Sequence, residues 1–291
     1  LQEPTVGAWA RHKLDFLSRY LSAYTKILSK QPWADGFVYI DAFAGPGRAR
    51  VRAKPDALPG GVDLLAPVLD EDDAEYLKGS PRVALDIDPP FSHYVFIDLN
   101  SERIALLEAV AAEFGAARTV AIRQCDCNAY LLELLPRIKW DTWRGVVFLD
   151  PFGMHVPWST IQALAETRAL EVFVNFPLGM AIQRLLPRDG QLQPQRRRKL
   201  DEYFGGPEWF DVMYQERQVD LFGEEQRQKM PGEHLAKWYR DRLQAAFGYA
   251  SKARLVRNSR GGHLYYLIHA GPNKTGAKIA NELLSKWEGV G

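Results

Sequence analysis

Tyr39-Ile40-Asp41-Ala42-Phe43-Ala44-Gly45-Pro46-Gly47 is the stretch whose reading decides the fold. Gly36-Phe37-Val38-Tyr39-Ile40 leads into it as an almost unbroken apolar run, the pattern of a strand buried on both faces. The strand ends in a carboxylate and a glycine-containing turn. At the carboxyl edge of a parallel sheet, that arrangement offers charge and exposed backbone to a ligand.

Working outward, Leu14, Leu17, Leu21, Tyr24 and Leu28 recur every three or four residues, which predicts an amphipathic helix over 10–30 ahead of the first strand. Further strands are expected at 94–98, 119–123, 146–150 and 171–175, with helices over 101–114, over 128–135 and from near Trp158. Such alternation calls for a parallel sheet covered on both faces, wound by right-handed crossovers. Ala253-Arg254-Leu255-Val256-Arg257 and His263-Leu264-Tyr265-Tyr266-Leu267-Ile268 flank a turn-like segment and predict an antiparallel pair, followed by a helix from Thr275 to Lys286.

Five parallel strands and this hairpin make seven. That count favours a doubly wound, mostly parallel, Rossmann-like methyltransferase sheet over a six-strand dinucleotide domain. One domain over 1–291 is expected, with an insertion at 48–92 after the first strand and a mainly helical insertion or lid at 180–250.

Composition excludes several classes. With 46% hydrophobic and 25% charged residues the chain reads as a globular protein, and its apolar runs are too short to span a membrane. The opening Leu1-Gln2-Glu3-Pro4 does not read as a signal peptide. Two cysteines one residue apart, Cys125 and Cys127, complete no zinc site and are poorly placed for a disulfide, so a reducing cytoplasmic setting is expected and no metal. Net charge is +1, but Asp70–Glu75 is acidic and Gln195–Lys199 basic. The acidic run reads as a solvated loop, the basic one as an exposed helix start or a contact for a phosphate-bearing partner.

Asp41, Asp98, Asp126 and Asp150 each stand at or just beyond a predicted strand end. Any one of them would serve as a helix cap; four in successive units suggest a shared crevice. Asp41 with the Gly45/Gly47 turn suits the ammonium and carboxylate end of an amino-acid-like cofactor, Asp98 a pair of ribose hydroxyls, and Asp126 an exocyclic adenine amine. Phe43, Leu99 and Cys127 complete the candidate cofactor set, the cysteines as ordinary small residues. Asp150-Pro151-Phe152-Gly153 is the candidate catalytic turn, with Asp150 orienting an amine and Pro151 and Phe152 shaping a flat pocket. His155 and Trp158 either share its rim or pack the next helix. Asn175 is expected either at a substrate edge or in an Asn turn, and Arg196, Arg197, Arg198 and Lys199 as substrate contacts. His12 and Lys13 face either the first strand end or solvent, the latter preferred.

Competing sites lack their motifs. A nicotinamide dinucleotide loop needs a third glycine, where this chain has Gly45-Pro46-Gly47-Arg48-Ala49-Arg50, and an acid about twenty positions on, whereas Asp98 lies 57 residues beyond Asp41. Neither a Walker phosphate loop nor a Gly-x-Ser-x-Gly elbow occurs.

Arg11-His12-Lys13-Leu14, Tyr39–Gly47, Gly79-Ser80-Pro81, Phe96-Ile97-Asp98, Asp150–Gly153 and Leu264-Tyr265-Tyr266-Leu267 with Gly276 and Ile279 together resemble the three-Cys-motif partner proteins over about 11–285. The resemblance implies a class I methyltransferase using S-adenosylmethionine, with Asp41, Gly45 and Gly47 in the cofactor loop, Asp98 as the ribose acid and Asp126 on the adenine side. It also implies a partner carrying three cysteines; the two cysteines here are not that motif. Asp150-Pro151-Phe152 resembles the Asp-Pro-Pro-Tyr/Phe motif of enzymes that methylate exocyclic amines but departs at the second proline. The resemblance implies methyl transfer without naming a substrate, and the site residues lead us to expect an exocyclic amine in nucleic acid; the alternative is a catalytically degenerate binding subunit serving its three-cysteine partner.

Overall fold

The computed structural model describes residues 5–6, 9–51, 76–216, 227–258 and 261–286. In chain order these form β1 (Thr5–Val6), α1 (Trp9–Leu28), β2 (Gly36–Asp41), β3 (Arg48–Val51), β4 (Tyr76–Lys78), α2 (Ser80–Leu85), β5 (His93–Asp98), α3 (Ser101–Ala112), β6 (Val120–Gln124), α4 (Cys127–Leu134), β7 (Trp143–Leu149) and α5 (Trp158–Glu166). The second half adds β8 (Leu170–Phe176), α6 (Gln183–Leu185), α7 (Pro194–Phe204), α8 (Trp209–Met213), β9 (Tyr214–Glu216), β10 (Arg227–Lys229), α9 (Gly232–Phe247), β11 (Tyr249–Ala250), β12 (Arg254–Arg257), β13 (His263–Gly271) and α10 (Lys274–Ser285).

The main sheet runs β6-β5-β2-β7-β8-β13, with β12 and the two-residue β11 both pairing β13. β6, β5, β2, β7 and β8 are parallel. β13 is antiparallel to β8 and to β12. This is the mostly parallel, doubly wound methyltransferase-like sheet with a C-terminal antiparallel hairpin that the sequence predicts, the two-residue β11 adding an eighth strand to the seven expected.

Every residue of β2 and β8 is buried, which is why both read as continuous apolar runs rather than alternating ones. Side chains nevertheless alternate between two cores. Val38 and Ile40 pack with Val95, Ile97, Val147 and Val172 beneath Leu131 of α4, Ile161 of α5 and Tyr239 of α9. Tyr39 packs with Phe96, Phe148 and Phe173 beneath Leu17 of α1, Leu85 of α2 and Leu284 of α10.

The insertion expected at 48–92 falls largely outside the described residues. Its two ends meet: Gly79 donates its N–H to the Gly47 carbonyl at 2.8 Å, and a Cβ on Gly79 would lie 2.7 Å from the Gly47 carbonyl carbon. β3 and β4 leave and return there, forming a small sheet with β1. The stretch expected as an insertion or lid at 180–250 is helical over α7, α8 and α9 but also carries the β9–β10 ribbon. Leu200, Phe204, Trp209, Leu235 and Leu243 from these helices are wholly buried in the same core as the sheet, so the helices belong to the body of the domain rather than to a cover over it. Burying that much apolar surface, at about 25 cal/mol per Å², would be lost if they swung away.

Candidate functional site

Register places the strand-end acids on one side of the sheet. Asp41 pairs with Phe96 on β5 and with Phe148 on β7, so Asp98 and Asp150 each lie two residues past Asp41's level. Because side chains repeat with period two, all three share the face that carries Tyr39, Phe96 and Phe148, beneath α1 and α2. Asn175 follows Val174, which pairs with Leu149, so it stands level with Asp150 on the next strand.

Asp41 is fully buried. Its carboxyl accepts from the Tyr39 hydroxyl at 3.2 Å and from the Phe43 amide at 3.3 Å. Burial pushes its pKa up to about 7, opposed by the Ser80 hydroxyl and reinforced by the Asp150 charge. At neutral pH the carboxyl is therefore divided between its protonated and ionised forms, and an approaching ammonium would favour the ionised one.

Asp98 anchors the glycine turn. Its Oδ2 accepts from the Gly45 amide at 3.0 Å and its Oδ1 from the Asn100 amide at 2.8 Å, with Arg103 Nη1 3.6 Å from Oδ2. A carboxylate has about four lone-pair directions, so two amides leave acceptor capacity for two hydroxyls. Gly45 and Gly47 adopt φ of +62° and +73°, left-handed conformations that glycine reaches without strain. Leu99, directly after Asp98, is exposed.

Asp150 is held by side chains at both of its oxygens. Lys13, from the first turns of α1, pairs with Oδ2, and the Asn175 side-chain amide donates to Oδ1. Lys13 is 5% exposed, and its ammonium lies 5.7 Å from the Phe148 ring centroid and 5.8 Å from that of Tyr265. The preferred solvent-facing placement of Lys13 is therefore corrected: α1 buries the stem in the aromatic face it covers, and Asp150 compensates the charge. A buried lysine without such a partner would be costly.

Beyond Asp150, Pro151 is buried and Phe152 is 74% exposed, so the ring stands free at the edge rather than filling the core. Asn128 holds the turn from α4, donating to the His155 carbonyl at 2.8 Å while accepting from the Thr160 hydroxyl at 3.0 Å. The sequence marks Asn128 only as the start of the helix expected over 128–135. His155 is itself exposed, and Trp158 is buried against Tyr239.

Asp126 caps α4, accepting from the Ala129 amide at 2.9 Å, the local role any single strand-end aspartate can take. It is exposed, and its Oδ2 points to no partner among the described hydrogen bonds. Cys127 is buried and burial pushes its thiol up to about 12; burial also raises Cys125. Both stay protonated, as small packing residues.

The basic run lies on α7. Arg196, Arg198 and Lys199 are exposed, whereas Arg197 bonds Asp201 at 3.2 Å and sits over the rings of Trp209 and Phe210. The run is thus split between solvent and core. α7 packs on α5, on the sheet face opposite the one bearing Asp41, Asp98 and Asp150.

Fold and edge together define a doubly wound α/β domain of methyltransferase-like architecture. No family model matches the chain, and no curated protein matches it. Among solved structures it is similar to protein LPL1258 from Legionella pneumophila, with a TM-score of 0.52 and 13% identity over 96% of this chain and 93% of that one. It is also similar to Trm1 from Pyrococcus horikoshii, solved with S-adenosyl-L-methionine, with a TM-score of 0.44 and 14% identity over 95% of this chain and 58% of that one. A third is YhhF from Escherichia coli, described as a methyltransferase, with a TM-score of 0.35 and 11% identity over 88% and 87%. The first likeness shows a shared fold. No described helix is long and apolar enough to cross a membrane.

Proposed function

We propose that the chain binds S-adenosylmethionine at the carboxyl edge of β2 and β5 and transfers its methyl group to an exocyclic amine in nucleic acid. The observation that carries this reading is Asp98 holding the Gly45 amide, because one carboxylate then joins a ribose-type acceptor to a glycine turn. The residues fit the cofactor's parts. Asp98 keeps acceptor capacity for a diol, the left-handed Gly45–Gly47 turn leaves backbone free of side chains, and exposed Leu99 offers an apolar surface for a planar base. When bound, the cofactor supplies an electrophilic methyl on a sulfonium. The chain's own part is to orient the acceptor through Asp150 and Asn175, to exclude water with the Pro151–Phe152 turn, and to reduce the orientational cost of an in-line approach.

A second reading is favoured by a specific contact. Both oxygens of Asp150 are engaged, by Lys13 and by Asn175, so an acceptor amine must either displace the ammonium or use a remaining lone pair. A binding subunit that keeps the fold without turnover, acting with a three-cysteine partner as the family resemblance implies, has no need of a free Asp150.

Calorimetry with S-adenosylhomocysteine tests the first part. The intact chain should bind, and Asp98→Ala should weaken binding at least tenfold, because hydrogen bonds to a charged acceptor are worth roughly 1.5–3 kcal/mol each. Unchanged urea stability of the variant separates lost contacts from lost fold. No binding by the intact chain overturns the cofactor assignment. Methyl transfer from labelled cofactor to cellular nucleic acid, against capture of a three-cysteine protein without transfer, divides the two readings.

A further inference from the structure

Between β10, the N-terminus of α9 and the segment after β8 lies a cavity of about 620 Å³, away from the strand-end acids. The chain reaches it directly from Asn175. After Pro177, Leu178–Ile182 forms one π-turn, in which the Ile182 amide bonds the Pro177 carbonyl at 3.2 Å, and Gln183 at its end lines the hollow. Isolated π-turns of this kind concentrate at functional sites because they re-aim the residues beside them.

The lining is chemically one-sided. Arg188, Arg227 and Lys229 contribute cations, Gln183 and Gln228 amides, and Met213 and Met230 adaptable apolar surface. No aspartate or glutamate is among the described residues that line it. Lys229 donates to the Leu186 carbonyl, and burial together with the neighbouring Arg188 charge pulls its ammonium below the ordinary lysine value. Like charges in one hollow, with no carboxylate among the described residues that line it, are stabilised by an arriving anion. Arg227 and Arg197 both lie over the Phe210 ring, at 5.0 and 4.1 Å, so one ring joins a cation of the cavity to α7, the helix that carries exposed Arg196, Arg198 and Lys199. Cations of the cavity and cations of α7 thus stand on either side of one aromatic ring.

We propose that this cavity is a phosphate-binding site for single-stranded polynucleotide, with Arg188 and Arg227 as its contact cations and the α7 run as its continuation. The volume is that of a nucleotide-sized pocket with Arg188 and Arg227 exposed beside it, and a flexible single strand can turn a nucleotide into such a hollow more readily than a rigid duplex can. That this strand is the methyl acceptor rests on the proposed function above; the phosphate contact does not.

The test is fluorescence anisotropy of a labelled mixed-sequence single-stranded oligonucleotide, about twelve nucleotides long and made as both RNA and DNA, titrated without cofactor at several salt concentrations. Arg188→Gln/Arg227→Gln should weaken binding at least about tenfold, and should make the slope of log affinity against log salt shallower by about 1.4, or 0.7 per lost contact. Arg188→Gln alone, at an exposed position, should produce about half the slope change and guards against misfolding of the double variant. Lys26→Gln/Lys30→Gln removes the same charge from the far end of α1 and should leave the slope unchanged. Equal slopes for all variants, no binding by the intact chain, or equal competition by polyglutamate overturns the proposal. S-adenosylhomocysteine calorimetry on the same proteins reads the cofactor assignment separately, so either reading can fail without the other.

Discussion

Asp41→Asn should remove a pH dependence of stability that the native chain carries. Asp41 is fully buried, and its pKa lies at about 7 against an ordinary value of 3.8, burial being the main cause. Between those values the folded chain keeps a proton that the unfolded chain has released. Stability from this group is therefore complete below the ordinary carboxyl value and declines as pH rises towards 7, by about 1.4 kcal/mol per pH unit. From pH 5 to pH 8 the loss amounts to roughly 3 kcal/mol. Urea unfolding at pH 5, 6, 7 and 8, on the native chain and on Asp41→Asn, reads it directly. The difference between the two should swing by that amount in favour of the variant, because an amide has no proton to lose over the range. Parallel curves would show that Asp41 is already ionised in the fold and would refute the argument. The same equilibrium reports on ligand: an ammonium placed beside Asp41 at pH 6.5 should drive proton release, visible as calorimetric heats that depend on the buffer.

Lys13→Met should cost about 2 kcal/mol, less than the 3–5 typical of a fully buried pair because Asp150 keeps some solvent. Lys13→Met/Asp150→Asn should recover part of that loss, and urea midpoints that simply add would show that the two groups do not interact. Gly271→Ala should destabilise by at least about 1–3 kcal/mol, since a Cβ there would lie 1.9 Å from Glu171 Oε2 within the buried group formed by Glu171, His269 and Tyr20; an unaltered melting temperature would contradict that packing. Asp126→Ala should cost about 1 kcal/mol through loss of the α4 cap, and an equal stability would mean the cap contributes nothing. If Asp126 also meets adenine, the same variant should weaken S-adenosylhomocysteine binding beyond what its stability explains.

The sheet was legible because burial on both faces writes itself into sequence as long apolar runs. Phe37–Asp41, Tyr94–Asp98 and Glu171–Asn175 each fall within a strand of the structure, and the reversed hairpin was marked by its turn. The β9–β10 ribbon was not legible. Three-residue strands are too short to show a period, and the connection between them spans about ten residues of mixed polarity. The packing of α7 to α9 into the core was missed for a different reason: their polar average hides Leu200, Phe204, Tyr239 and Leu243 on one side, and an average carries no direction.

The sequence alone determined that carboxylates end successive strands, since a strand's last residue follows from where its apolar run stops. What those carboxylates do was decided by tertiary structure. Register put Asp41, Asp98 and Asp150 on one face, a neighbouring helix start made Asp126 a cap, and α1 brought Lys13 to Asp150 across a sequence separation of 137. Local chain chemistry sets backbone conformation, whereas the pairing and protonation of a side chain depend on which distant groups the fold brings within a few ångströms, and on how much water it leaves there.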